Sequence, residues 1–137
     1  MQHAVDSRGL DIQVDSCGTA AWHAGSPADS RSVAVMAEAD VDISAQRSRK
    51  IRLADFEEFD HILVMDDSNY RDVCSVAPDD AARGKVARLL DVSGGRGLDA
   101  VCQGNVPDPY YDSEGGFEHV REMVREAVEG WLELQGY

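Results

Sequence analysis

The sequence predicts an α/β fold, a three-layer sandwich with helices on both sides of a parallel sheet. Three observations carry that expectation. Strand-like and helix-like segments alternate along the chain. The run "HILVM", His61 to Met65, has the length and apolar composition of a strand covered on both faces. The last part of the chain carries an apolar stripe at helical spacing, long enough to cover one side of such a sheet.

Taken in order, "LDIQVDS" alternates apolar and polar residues at Leu10, Ile12 and Val14, which predicts a short strand with one face covered. A loop from Cys17 to Gly25 follows. Ser26-Pro27 reads as a helix start, with serine as cap and proline in the first turn, and Val33, Met36 and Ala37 continue it at helical spacing. "LADFEEFD" predicts a short acidic helical turn before the "HILVM" strand. "DDSNYRDVCS" opens with acids, which favour a helix N-terminus, and predicts the next helix. "KVARLL" is the following strand candidate, although its length would equally suit a helix, and "DVSGGRGLD" is a glycine-rich loop. From Ser113 onward Phe117, Val120, Val124, Ala127, Val128 and Trp131 recur at threes and fours and predict a long amphipathic helix.

A chain of 137 residues, 43% of them hydrophobic, reads as a single domain, 1–137, with a real core. Acidic residues outnumber basic ones 26 to 13, and the net charge of −13 argues against nucleic acid and anionic membranes as partners. Lys50 and Lys85 are the only lysines, a balance that suits a protein kept soluble in a salty cytoplasm and equally an ordinary acidic surface. No segment approaches transmembrane length and "MQHAVDSRGL" lacks the apolar run of a signal peptide, so the expected location is cytoplasmic. Cys17, Cys74 and Cys102 are too few and too far apart for a disulfide framework or a CxxC site. The histidines offer no HExxH or Cys/His ligand spacing, so no metal is expected, and Cys17 beside His23 makes a nucleophile pair on proximity alone. Gly94, Gly95 and Gly97 match neither GxGxxG nor GxxxxGK and read as a plain loop.

The most constrained stretch is "VPDPYYD", Val106 to Asp112. Proline fixes its own φ and restricts the residue before it, so Pro107 and Pro109 hold Asp108 stiffly, and Tyr110 and Tyr111 stand beside the carboxyl. Alone, that is either a rigid surface turn or an aimed acid.

Four stretches in order, "VDSCGTAAWHAGSPADSRSV", "DISAQRSRKI", "DFEEFDHILVMDDSNYRD" and "VPDPYY", resemble the low-molecular-weight protein tyrosine phosphatases. The resemblance runs from Met1 to the C-terminal helix. It implies a small cytoplasmic α/β enzyme, without metal or cofactor, that hydrolyses phosphotyrosine through a phosphocysteine intermediate. By this resemblance Asp108 is the general acid that protonates the leaving oxygen and later the base that activates water. Trp22 and Tyr110 would be aromatic walls for the substrate ring, and Tyr111 completes the tyrosine pair. Ser16 would prop up the phosphate loop, whereas Asp66, Ser68 and Asn69 are architectural.

The resemblance also exposes a departure. The family's defining CxxxxxR motif is absent: six positions after Cys17, Cys74 and Cys102 stand His23, Asp80 and Asp108. That loop supplies the thiolate, the backbone N–H cradle and the arginine fork for phosphate. "MQHAVDSRGL" resembles the end of the family's first helix, so the chain reads as truncated at its N-terminus. The central first strand of a four-stranded family sheet would then be missing between "DIQV" and "HILVM", and self-association through the unpaired strands is one way to fill the gap. Three readings follow: a phosphatase domain inactive as given, a non-catalytic interaction module descended from one, or a related arsenate reductase. The last is disfavoured because Cys74 and Cys102 are not closely spaced redox cysteines.

Overall fold

A computed structural model describes residues 1–22, 24–98, 101–111 and 115–137, without the side chain of Tyr111. The order of elements is α1 (Gln2–Ser7), α2 (Ser30–Ala37), α3 (Asp55–Glu58), β1 (Ile62–Val64), α4 (Asp67–Val76), α5 (Asp80–Arg83), β2 (Val86–Arg88), a 3-10 turn (Pro109–Tyr111) and α6 (Gly116–Leu134).

β1 and β2 pair in parallel, Ile62 opposite Val86 and Val64 opposite Arg88. Alternation across β1 divides the core. Leu63 packs on one face against a cluster of Leu89, Leu90, Met123, Ala127, Trp131 and Leu132, which covers α6. Ile62 and Val64 join Phe56, Val73, Ala77, Ala82 and Val86 on the other, beneath α4 and α5. Helices therefore cover both faces, as the apolar run of β1 requires.

Three of the aspartates serve helix starts. Asp29, Asp66 and Asp79 cap α2, α4 and α5, accepting N–H bonds from Arg31 (2.8 Å), Asn69 (2.7 Å) and Ala82 (2.7 Å). Such a cap is worth about 1 kcal/mol. The long helix α6 passes so close to the 93–96 turn that a Cβ on Gly130 would lie 2.0 Å from the Ser93 carbonyl oxygen.

Two expectations need correction. The first concerns the sheet: among the described residues it has two strands, and the segment from Leu10 to Val14 is not one of them. Its alternation is real, with Leu10, Ile12 and Val14 half-buried and Asp11, Gln13 and Asp15 exposed, and Leu10 and Ile12 pack on the α6 cluster. A strand needs a hydrogen-bonded neighbour as well as a buried face, and residues 11–14 make no backbone hydrogen bond to another described residue. The bonds Ile62 N–H to Lys85 O and Leu89 N–H to Val64 O turn Ile62 and Val64 toward β2. The peptide groups of Leu63 consequently point to the opposite edge. The second correction concerns α2, which begins at Ser30 under the Asp29 cap rather than at Ser26-Pro27. Gly25 N–H and Ser26 C=O are already committed to Ser48, and Pro27 bridges Arg47, so the chain is extended there and turns helical afterwards.

Candidate active site

The "DSCG" loop, Asp15 to Gly18, is held by residues 49–51. Gly18 donates to Arg49 O (2.8 Å) and accepts from Ile51 N–H (2.9 Å). The Arg49 guanidinium spans two carboxylates, reaching Asp15 Oδ2 at 2.8 Å and Asp55 Oδ2 at 2.8 Å. Asp55 is 3% exposed and also accepts from the backbone N–H of Arg52 (2.8 Å) and its guanidinium (3.0 Å). Burial alone would raise the Asp55 pKa, but the bonds from Arg49 and Arg52 outweigh it and bring it to about 2. This buried cluster fixes where Ser16 and Cys17 stand. Ser16 is exposed and donates its N–H to Asp15 Oδ1 (2.7 Å). Cys17 lies at the surface, yet desolvation raises its pKa; Arg49 pulls it down while Asp55 and Asp15 push it up. A thiol so placed is protonated at neutral pH, the opposite of an activated nucleophile. His23 lies outside the described residues.

The second part of the site gathers at the carboxyl ends of β1 and β2, where open α/β sheets place their ligands. Val106 is buried and donates its N–H to Met65 O (2.8 Å), anchoring the "VPDPYY" segment to the end of β1. Asn105 Oδ1 accepts from Asp67 N–H (2.8 Å), so this segment also serves the first turn of α4. Arg88 binds across the group, with Nη1 on Asp67 Oδ1 (2.8 Å) and Nε on Asp91 Oδ2 (2.8 Å). Gly104 stands beside it at φ +82°, where a Cβ would meet Asp91 Oδ1 at 2.8 Å and the Arg88 guanidinium at 2.9 Å, so glycine is required there.

Asp108 emerges from this anchored base exposed, with Oδ1 accepting the Tyr110 N–H at 2.9 Å. The carboxylate thus closes a turn on its own chain. Tyr110 is 59% exposed, and Arg31 lies over its ring at 5.1 Å. The backbone of Tyr111 ends the 3-10 turn, and its side chain lies outside the described residues. Trp22 is 88% exposed and lines an open groove of about 700 Å³ with Thr19, Lys50, Ile51, Asp72 and Val76. Asp108 and Tyr110 do not line that groove. Asp66 caps α4 through Asn69 N–H, the architectural part expected of it.

Arg31, Arg49, Arg88 and Asn105 were not singled out by the sequence. Only Asn105 gave a local signal, as a Gly-Asn pair just before a proline-bounded acid. Among the described residues no helix is long and apolar enough to cross a membrane, and no three His, Cys, Asp or Glu side chains converge as metal ligands.

Comparison with known proteins points to one family over nearly the whole chain. The family described as low molecular weight phosphotyrosine protein phosphatase matches residues 1–135. The low molecular weight protein-tyrosine-phosphatase of Streptomyces coelicolor is 36% identical over 133 residues, 93% of this chain and 77% of that protein. The crystal structure of the protein tyrosine phosphatase of Entamoeba histolytica, with Hepes in its active site, superposes with a TM-score of 0.86 at 28% identity, covering 98% of this chain and 83% of that one. Wzb of Vibrio vulnificus, solved in complex with benzylphosphonate, gives 0.79 at 28% identity over 97% of this chain and 84% of its own. With a family match that takes in both the "DSCG" loop and the acid segment, the chain belongs to the low molecular weight phosphotyrosine protein phosphatases.

Proposed function

We propose that this chain is a cytoplasmic phosphotyrosine phosphatase domain that supplies the acid and the aromatic walls for the substrate ring, and that the 137 residues alone do not turn over substrate. In this reading Asp108 protonates the leaving tyrosine oxygen and then activates water, Trp22, Tyr110 and Tyr111 flank the substrate ring, and Ser16 supports the phosphate loop. Phosphotyrosine proteins or small aryl phosphates are the substrates. The observation that carries the acid role is the setting of Asp108: exposed, stiffened by Pro107 and Pro109, and fixed by its bond to Tyr110 N–H. The inactivity rests on the lack of any cysteine with arginine six positions on, and on a Cys17 thiol whose pKa is raised. Phosphate then has neither a nucleophile nor a charged cradle.

The acid role is tested in a version carrying a CxxxxxR loop. Asp108→Asn should slow aryl phosphates with poor leaving groups by on the order of 10² to 10⁴ while sparing activated ones, which need no proton. Equal slowing of both would make Asp108 structural. The same reading includes self-association at the edge of β1 away from β2. Sedimentation should then show mass rising with concentration, and a monomer throughout would remove it.

A further inference from the structure

Three elements meet at Arg31. Its guanidinium lies 5.1 Å from the centre of the Tyr110 ring and 4.6 Å from that of Phe117, between the 3-10 turn and the first turns of α6. On its edge it forms a fork with Asp29, Nε to Oδ1 at 3.0 Å and Nη2 to Oδ2 at 2.8 Å. Asp29 is itself fixed, since its Oδ1 also accepts the Arg31 N–H that starts α2. The orientation of the guanidinium is therefore set by the residue that caps the helix, and both rings lie within cation–π distance of it. Tyr110 is in turn bonded through its N–H to Asp108 Oδ1 at 2.9 Å.

We propose that Arg31 is the positioning residue of the acid segment: it clamps Tyr110 against α2 and α6 and thereby sets the direction of the Asp108 carboxyl. This rests on the reading of Asp108 as the acid. Arg31 touches no reacting atom in this role. Lysine cannot take its place, because an ammonium group offers neither the fork for Asp29 nor a flat face for two rings.

The first arm uses the 137-residue chain as it is, followed by NMR. The Arg31 side-chain protons, close to two rings, should show ring-current shifts that shrink when Phe117 is replaced by leucine. In Arg31→Ala the Tyr110 amide should exchange on the order of tenfold faster, while the amides of Val106 and Asn69, anchored elsewhere, keep their rates. Arg31→Lys should behave like Arg31→Ala. An unchanged Tyr110 rate, or a parallel rise at Val106 and Asn69, overturns the clamp. The second arm uses a version carrying a CxxxxxR loop. Arg31→Ala should slow poor leaving groups more than activated ones, in the sense of Asp108→Asn but to a smaller extent. If Asp108→Asn shows that dependence and Arg31→Ala does not, the positioning role fails although the acid role stands. If Tyr110 loosens but Asp108→Asn slows both substrates equally, the acid role itself has failed and takes the positioning role with it.

Discussion

Replacing Asp55 by asparagine tests the cluster that holds the "DSCG" loop. The carboxylate is 4% exposed and accepts four hydrogen bonds: two from the Arg49 guanidinium (2.8 and 3.1 Å), one from the Arg52 N–H (2.8 Å) and one from its side chain (3.0 Å). Its pKa of about 2 lies below the ordinary value of 3.8. A pKa held that far below the ordinary value corresponds to roughly 2 to 3 kcal/mol of stability from this group. The folded-state pKa is depressed, so the contribution is complete above about pH 5 and is lost as pH falls through 4 toward 2. Asparagine removes the charge and turns an N–H₂ toward guanidinium donors. Arg49 keeps Asp15 as a partner, which limits the damage, so a loss of about 2 to 4 kcal/mol at pH 7 is expected. Urea denaturation of both chains at pH 7, 5, 4 and 3 measures it. The difference should be constant from pH 7 to 5 and shrink below pH 4. A loss under about 0.5 kcal/mol, or a difference that does not shrink in acid, would refute the reasoning.

Two further outcomes follow from packing and charge. Gly130→Ala gains helix propensity of about 1 kcal/mol but places a Cβ 2.0 Å from the Ser93 carbonyl oxygen, so a net loss of about 1 to 3 kcal/mol is expected in denaturation, and an equally stable variant would contradict the close approach. A net charge of −13 predicts that the melting temperature rises between low and molar chloride as the surface is screened, and a flat response would remove the idea of adaptation to salt.

What could be read from the sequence was what depends on local pattern. The strand at Ile62, the helices from Asp67 and Gly116, and the inward set Leu10, Ile12 and Val14 all follow from periodicity and composition. Pattern gave the buried face of residues 10–14 but not a ladder, because backbone pairing depends on a neighbour elsewhere in space. The start of α2 was missed for a similar reason. Ser26 is a good cap by type, but its carbonyl is bonded to Ser48, so Asp29 takes the role. Among the proposed site residues, Asp108 and its prolines stand out within five residues of sequence. Arg31, Arg49 and Arg88 did not, since an arginine's partners are fixed by the fold and its own neighbourhood looks like any charged surface.

The most direct test of the account is turnover of an aryl phosphate by the purified 137-residue chain, beside its Cys17→Ser variant and a version extended with the family's CxxxxxR loop. The account predicts no turnover by the short chain at any pH and measurable turnover by the extended one, because removing the nucleophile of a catalytic unit loses nearly all of its rate. Turnover by the short chain that disappears in Cys17→Ser would contradict it, and would make Cys17 the nucleophile despite its raised pKa and the lack of an arginine six positions on.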